Sequence, residues 1–200
     1  HSDWSKIVSD VVALGADGKK VGVISTINGD ANVGFYKVLA AAGVSADDIP
    51  VVAFSVGEEE LSGLDTTNLV GHLAAWNYFQ SAESDANDDF IKAWKAKMGE
   101  DRVTNDPMEA HFIGFNMWVE AVTKANTTDV DAVRKEMYGL TFPNLTGGMA
   151  EMLPNHHLSK PVLIGEIQAD GQFDIISQTS EVPGDAWTDF LPESKPLKSD

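Results

Sequence analysis

Three short apolar runs alternate with helical patterns in the first 75 residues, and this alternation narrows the possible folds more than any other feature. The runs are 20–26 (KVGVIST), 49–55 (IPVVAFS) and 69–75 (LVGHLAA). Each is too short for a core helix and rich in β-branched or small residues, as in buried strands of parallel sheets. Helical patterns cover 2–14, about 31–42 and 58–64. Strands separated by helices at this spacing predict an α/β fold with a doubly wound parallel sheet.

The second half of the chain changes character. Helices are predicted over 86–98, 107–124 and 130–138, and strands over 148–152, 161–168 and 172–178. Ala169-Asp170-Gly171 predicts a hairpin turn between the last two strands. The helix over 107–124 has one apolar face, formed by Met108, His111, Phe112, Phe115, Trp118 and Val119. The shift from α/β to helices and then to a hairpin predicts two lobes with a crossover near 76–81.

The formal net charge of −17 argues against polyanionic partners. Such a surface repels a nucleic acid backbone and an anionic membrane alike. No run approaches the roughly 18 apolar residues of a membrane span, so no direct membrane insertion is expected. The absence of cysteine excludes disulfides and thiol chemistry.

Polar residues follow the first predicted strand, at the start of the next helix. Asn28, Gly29, Asp30 and Asn32 lie in this turn. Ligands of open α/β sheets bind beyond the carboxyl ends of the strands, so these four residues are candidate ligand contacts. The alternative is that Asp30 and Asn32 cap the helix and that Asn28-Gly29 only makes the turn.

A second polar segment follows the next strand, on the same edge of the sheet. Ser55 and Glu58 could reach the crevice that the first turn borders. Equally, Glu58, Glu59 and Glu60 could simply favour the positive end of a short helix, which is the better account of Glu59 and Glu60. Further along, the Tyr78 hydroxyl could also reach a cleft, whereas Trp76 and Phe79 fit core or hinge packing.

Catalytic and metal-binding signatures are missing from the sequence. None of the motifs of nucleophilic hydrolases, phosphate-binding loops, zinc proteases or dinucleotide-binding proteins occurs. The pair His156-His157 has no third ligand at a known spacing, and adjacent residues of an extended segment point apart. We therefore expect no enzyme, no metal site and no cofactor.

Several blocks of the sequence resemble urea-binding proteins of ABC transporters, which are type I periplasmic binding proteins related to amide-sensing and branched-chain amino acid binding proteins. The blocks are STINGDANVGFYK (25–37), IPVVAFSVGEEELSGLDT (49–66), LVGHLAAWNYFQS (69–81), TNDPMEAHFIGFNMW (104–118) and PNHHLSKPVLIGEIQADGQF (154–173). The resemblance implies two α/β lobes joined by three crossovers, of which this chain is the C-terminal half. It also implies that the loop 28–32 and the segment 55–58 face the ligand cleft.

The resemblance implies a division of the chain as well. Residues 1–75 would form most of the second lobe, 76–85 a crossover, and 86–140 helices of the first lobe. Residues 141–181 would return as a β-hairpin to the second lobe, and 182–200 would be a C-terminal tail.

The implied function is capture of urea or a short amide in the periplasm, without catalysis, and delivery to a membrane permease. The protein would be exported, with a signal peptide that lies outside this sequence. Two alternatives remain at this point. One is a cytoplasmic amide-sensing regulator with the same fold, and the other is an amidohydrolase using Asp30 and Glu58.

Overall fold

The computed structural model of the protein describes residues 3–16 and 18–185. The helices are α1 (Trp4–Gly15), α2 (Ala31–Ala41), α3 (Glu58–Leu61), α4 (Asp85–Met98), α5 (Asp106–Ala125) and α6 (Val130–Met137). The strands are β1 (Val23–Ser25), β2 (Val51–Ala53), β3 (Leu73–Trp76), β4 (Thr141–Pro143), β5 (Met149–Met152), β6 (Leu158–Ser159), β7 (Leu163–Ile167) and β8 (Phe173–Gln178). A 3₁₀ turn, Thr67–Leu69, precedes β3.

The main sheet is mixed, with strand order β1-β2-β3-β7-β8. The first three strands are parallel, and β7 and β8 add to β3 as an antiparallel hairpin. This confirms the predicted α/β fold and places the carboxyl ends of β1 and β2 side by side. It also brings the chain after residue 160 back beside β3, as the predicted hairpin required.

One face of this sheet is buried by the helices of the first half of the chain. Cross-strand partners point to the same face, and Ala53, Ala74 and Gly165 are such partners. All three are buried, together with Phe35 and Leu39 of α2. On the opposite face Ile24 is 76% exposed. The first apolar core therefore lies between one face of the sheet and α1–α2.

A second, separate core lies in the other half of the chain. Strands β4, β5 and β6 form an antiparallel sheet of their own. Its residues Ala150 and Met152 pack with the buried side of α5 and with Val133 of α6. Residues 141–181, predicted as one unit returning to the second lobe, are thus divided. The part up to β6 packs on the helices, and only β7–β8 joins the main sheet.

Side-chain caps distinguish the helices of the two halves. Ser84, Asn105 and Asp129 each accept a hydrogen bond from a backbone N–H in the first turn of α4, α5 and α6, at 3.0–3.1 Å. At the start of α1 and α2, Asp3 and Asp30 make no such bond. None of the helices described is long and apolar enough to cross a membrane.

Candidate functional site

The turn between β1 and α2 exposes its polar residues at the carboxyl edge of the sheet. Asn28, Gly29 and Asp30 are all exposed, and Gly29 has a positive φ of 58°. The Asp30 side chain does not cap α2, in contrast to the capping alternative, and it makes no hydrogen bond among the described residues. A carboxylate at a helix start without an internal partner is an acceptor available to an N–H donor from outside.

Asn32 differs from its neighbours because it is fully buried. Its side-chain nitrogen Nδ2 donates one hydrogen bond to the Ile27 carbonyl and one to the Ser55 carbonyl, each at 3.0 Å. Both amide hydrogens are therefore used within the protein. The prediction that Asn32 contacts ligand is corrected by this arrangement: the side chain is inaccessible and both donors are occupied, although Oδ1 has no hydrogen-bond partner among the described residues.

The hydrogen bond from Asn32 Nδ2 to the Ser55 carbonyl holds Ser55 beside the turn 28–30. Ser55 follows β2, its side chain is half-buried, and its carbonyl accepts from Asn32. The predicted residues that the structure brings together at the accessible edge are therefore Asn28, Gly29, Asp30 and Ser55.

Glu58 is also buried, and its carboxylate faces the segment 77–84 that follows β3. Its Oε1 atom accepts a long hydrogen bond of 3.4 Å from the Ser81 N–H, and Oε2 has no hydrogen-bond partner among the described residues. Burial raises the pKa of Glu58 to about 8, so the side chain is largely protonated at neutral pH. The prediction that Glu58 contacts ligand is corrected because the side chain is almost completely buried and its Oε1 atom faces the Ser81 N–H.

The other two glutamates of α3 have local partners. Glu60 accepts from the Gly57 N–H at 2.9 Å, and Glu59 pairs with Arg102 at 3.4 Å. Burial raises the pKa of Glu60 above its usual range, and the neighbouring negative charges of Glu59 and Asp30 add to this effect. The Glu60 carboxylate thus accepts a hydrogen bond at the start of α3, and the Asp30 carboxylate lies near enough for its negative charge to raise the pKa of Glu60.

A buried polar network, which the sequence did not predict, occupies the region between β3 and the start of α5. The Tyr78 hydroxyl donates to Asn87 Oδ1 and shares a second hydrogen bond with the Thr104 hydroxyl, both at 2.7 Å. Tyr78 is completely buried, so the prediction that its hydroxyl reaches a cleft is wrong. Desolvation raises the pKa of this hydroxyl, which keeps it neutral.

Charged residues extend the same network. Lys160 forms a buried ion pair with Glu109, and the Asn77 N–H donates to Asp106 Oδ2 at 3.0 Å. Burial raises the pKa of both carboxyl groups, while the Lys160 charge opposes that rise. The sequence indicated only that Asp106 lies at the start of the helix predicted over 107–124. It gave no sign that Glu109 and Lys160, which are 51 residues apart, form an ion pair.

Within the described residues no cluster of three potential ligands could hold a metal ion. His156 contacts the Tyr138 hydroxyl at 3.1 Å, and the exposed His157 lies next to it in the chain. His72 is buried, and its Nδ1 accepts from the Val51 N–H at 3.1 Å. The side chains of His72 and His156 thus have structural partners, and the described histidines do not converge on one point.

Solved structures with the same fold come from bacterial transport systems. A solute-binding protein of an ABC transporter from Rhodopseudomonas palustris BisB5, in complex with 3,4-dihydroxybenzoic acid, superposes with a TM-score of 0.73 at 18% identity, covering 90% of this chain and 48% of that one. An amino acid ABC transporter substrate-binding protein from Pseudomonas fluorescens Pf-5 gives 0.74 at 18% identity, covering 92% and 49%. A solute-binding protein from R. palustris in complex with benzoate gives 0.75 at 16% identity, covering 93% and 49%.

A curated relative, named limonene hydroxylase, comes from Geobacillus stearothermophilus. It is 36% identical over 113 residues, which is 56% of this chain and 20% of that protein. A match to so small a part of a protein carries no activity over to this chain. The chain likewise spans about half the length of the solved structures.

The family match covers nearly the whole sequence. The model of the periplasmic binding protein domain matches residues 1–193, and the solved structures agree with it in the mixed sheet and the helices. The chain belongs to the periplasmic binding protein domain family.

Proposed function

We propose that this protein is the periplasmic solute-binding component of an ABC transporter and that it captures urea or a short amide. It holds the ligand in a cleft between two lobes, makes and breaks no covalent bond, and delivers the ligand to a membrane permease. The resemblance of five sequence blocks to urea-binding proteins and the family membership support this class of function.

The observation that carries the proposal is the exposed polar edge formed by Asn28, Gly29, Asp30 and Ser55. Urea and short amides are rich in N–H donors and have one carbonyl acceptor. The Asp30 carboxylate and the Asn28 side-chain carbonyl are acceptors for the N–H groups, and the Ser55 hydroxyl is a donor for the ligand oxygen. Burying an amide is favourable only when these groups are paired, so this set favours an amide over an apolar solute.

The charge of the same edge favours binding of neutral amides over ligands that carry a carboxylate. Residues 26–32 and 54–60 contain no lysine or arginine, and the Asp30 carboxylate is exposed there, whereas Glu58 is buried and largely protonated and Glu59 pairs with Arg102. A benzoate or an amino acid carries a carboxylate, which binding sites usually pair with a cation or with several N–H donors. Because this wall offers negative charge instead, a neutral ligand fits it better.

The lobes are proposed from the division of the two cores. Residues 1–75 and the β7–β8 hairpin form the second lobe, 76–85 is a crossover, and α4–α6 with β4–β6 belong to the first lobe. The exposed side chains of Phe115 and Trp118 on α5 support this, because they form an apolar surface that an adjoining part of the first lobe would cover. Ligand bound between the lobes would stabilise the closed arrangement.

Calorimetry on the full-length protein tests the proposal. We expect saturable heat with urea or acetamide, and none with benzoate or leucine at the same concentrations. A parallel assay for ammonia release distinguishes binding from hydrolysis. Binding of benzoate or leucine with no response to amides would contradict the proposed ligand class, and ammonia release would contradict the absence of catalysis.

Substitution of Asp30 tests the site. Asp30→Ala should weaken amide binding by about 1–3 kcal/mol if the carboxylate accepts a buried N–H. Its melting temperature should change little, because Asp30 does not cap α2. Asp47→Ala, which removes another exposed carboxylate outside these loops, is the control and should leave affinity unchanged. Lower stability with unchanged affinity would contradict a ligand contact by Asp30.

A further inference from the structure

The direct pairing of β1 with β2 ends just before the exposed polar edge. The last backbone hydrogen bond between the two segments runs from the Phe54 N–H to the Ser25 carbonyl, at 3.2 Å. Beyond it the chain diverges into two loops, 26–30 and 54–57. Their relative position there depends on side chains, because the ladder no longer joins them.

The Asn32 side chain joins the two loops beyond the point where the backbone hydrogen bonds between β1 and β2 end. One nitrogen atom donates to the Ile27 carbonyl in the first loop and to the Ser55 carbonyl in the second, both at 3.0 Å. The side chain is completely buried. Ile27 and Asn32 also bracket the exposed turn, so the same two bonds hold both ends of Asn28–Asp30 against Ser55.

Among side chains of this size, only a primary amide can donate to both carbonyl oxygens. It directs two hydrogens from one nitrogen, whereas aspartate has no donor and serine has one. An ionised aspartate would also place a carboxylate against the two carbonyl oxygens, which would lose their donors, and this is unfavourable for all three groups. The requirement is therefore for the chemistry of asparagine and not merely for its volume.

We propose that Asn32 is the positioning residue of the ligand site: it sets the spacing between the loops 26–30 and 54–57 without touching ligand. This rests on the proposed function for the identity of the ligand. The role of Asn32 in joining the two loops, however, rests on its own contacts and not on the identity of the ligand.

Hydrogen–deuterium exchange on the full-length protein tests the link. Asn32→Asp should speed exchange in both loops together, while the strands β1 and β2 keep the parental rate. Asn87→Asp is the matched control, because the Asn87 amide also donates to two carbonyls, those of Gln80 and Ala82, far along the chain from these loops. It should leave exchange in 26–30 and 54–57 unchanged. Faster exchange in only one loop, or in neither, overturns the inference.

Calorimetry with urea and acetamide tests the consequence for binding, at a temperature where circular dichroism shows each variant to be folded. We expect at least a tenfold loss of affinity for Asn32→Asp. Asn32→Ser keeps one donor and serves if the aspartate variant does not fold, with a smaller loss expected. Unchanged affinity in a folded variant overturns the inference, because a residue that only stabilises the fold would lower the melting temperature and leave affinity intact. A parent protein that binds neither amide contradicts the proposed function instead, and the exchange experiment then still decides whether Asn32 joins the loops.

Discussion

Burial decides the role of individual polar residues in this protein. Of the six residues predicted to face ligand, Asn28, Gly29 and Asp30 are exposed and Ser55 is half-buried, whereas Asn32 and Glu58 are buried. The sequence placed all six in the segments that follow β1 and β2, which is where they are, although Asn32 already lies in α2 and Glu58 in α3. It could not distinguish them further, because whether a side chain at a strand end points outward or into the protein depends on contacts with segments distant in the sequence. Glu58 illustrates this, since its contact Ser81 lies in the crossover after β3.

Glu58 makes the stability of the folded protein depend on pH. Its pKa is raised by burial from 4.5 to about 8. Between these values the unfolded chain has lost the proton that the folded chain keeps, so the free energy of unfolding falls as pH rises, by up to about 1.4 kcal/mol per pH unit. Glu58→Gln removes this titration and retains an acceptor for the Ser81 N–H. Relative to the parent, the variant should gain roughly 3 kcal/mol between pH 5 and pH 8.

Guanidinium unfolding across this pH range measures the gain; urea is unsuitable because it is the proposed ligand. Glu59→Gln, the same substitution at the adjacent residue of α3, is the control and should follow the parent at each pH. If the free energy of unfolding changed with pH in the same way for the parent and for Glu58→Gln, Glu58 would not bind a proton on folding.

At the scale of elements, hydropathy patterns predicted the helices and most strands to within a few residues. The strands predicted over 20–26 and 49–55 are shorter than expected, at Val23–Ser25 and Val51–Ala53. Strands β4 and β6 were not predicted, because they are three and two residues long and, unlike β1 and β2, do not lie within a longer apolar run. Periodicity also did not reveal which side of α5 is buried. Among the described residues the second core covers Ile113, Met117 and Ala121, while the predicted apolar face leaves Phe115 55% exposed.

The contact between the crossover and the β7–β8 hairpin depends on a glycine. The rings of Phe79 and Phe173 stack with their centroids 4.4 Å apart, directly over Gly165. A Cβ atom at Gly165 would lie 2.9 Å from carbon atoms of both rings. Gly165→Ala should therefore destabilise the protein by about 1–3 kcal/mol through overpacking.

Gly114→Ala is the matched control for this prediction. Gly114 lies in α5, and a Cβ atom there meets nothing within 4 Å. Alanine in a helix is favoured over glycine by about 0.8–1.0 kcal/mol, so this variant should be as stable as the parent or more so. Guanidinium unfolding followed by circular dichroism compares the two. A Gly165→Ala variant as stable as Gly114→Ala would mean that the aromatic pair can move away from the strand at no cost.

At the scale of the whole molecule, two apolar cores meet at a polar junction. Asn77, which follows β3, links the two sides of this junction: its N–H donates to Asp106 Oδ2 of α5 at 3.0 Å, and its Nδ2 donates to the Pro161 carbonyl before β7 at 2.7 Å. The ion pair of Lys160 with Glu109 lies in the same region and is almost wholly buried. Directional bonds between the two cores fix their relative position more narrowly than apolar contact alone would. No local pattern predicts such a junction, because its members are separated by up to 84 residues.

Removing the charge of Lys160 should therefore lower the free energy of unfolding of the whole molecule substantially. Lys160→Met keeps most of the side-chain volume but leaves the Glu109 carboxyl buried without its cation, and we expect a loss of about 3–5 kcal/mol of stability. Combining it with Glu109→Leu removes both charges and should recover much of that loss, because a buried pair contributes little net stability over apolar residues of similar size.

Lys124→Met is the surface control for the same experiment. Lys124 pairs with Glu120 at 2.7 Å, but both side chains are nearly half exposed. An exposed pair contributes about 0–1 kcal/mol, so guanidinium unfolding should show little change for this variant. If Lys160→Met were as mild as Lys124→Met, the Glu109 carboxyl would have to be neutral in the folded protein, and the junction would then be held by hydrogen bonds without an ion pair. Burial favours the neutral form of Glu109 and the Lys160 charge opposes it, so the comparison measures which of the two prevails.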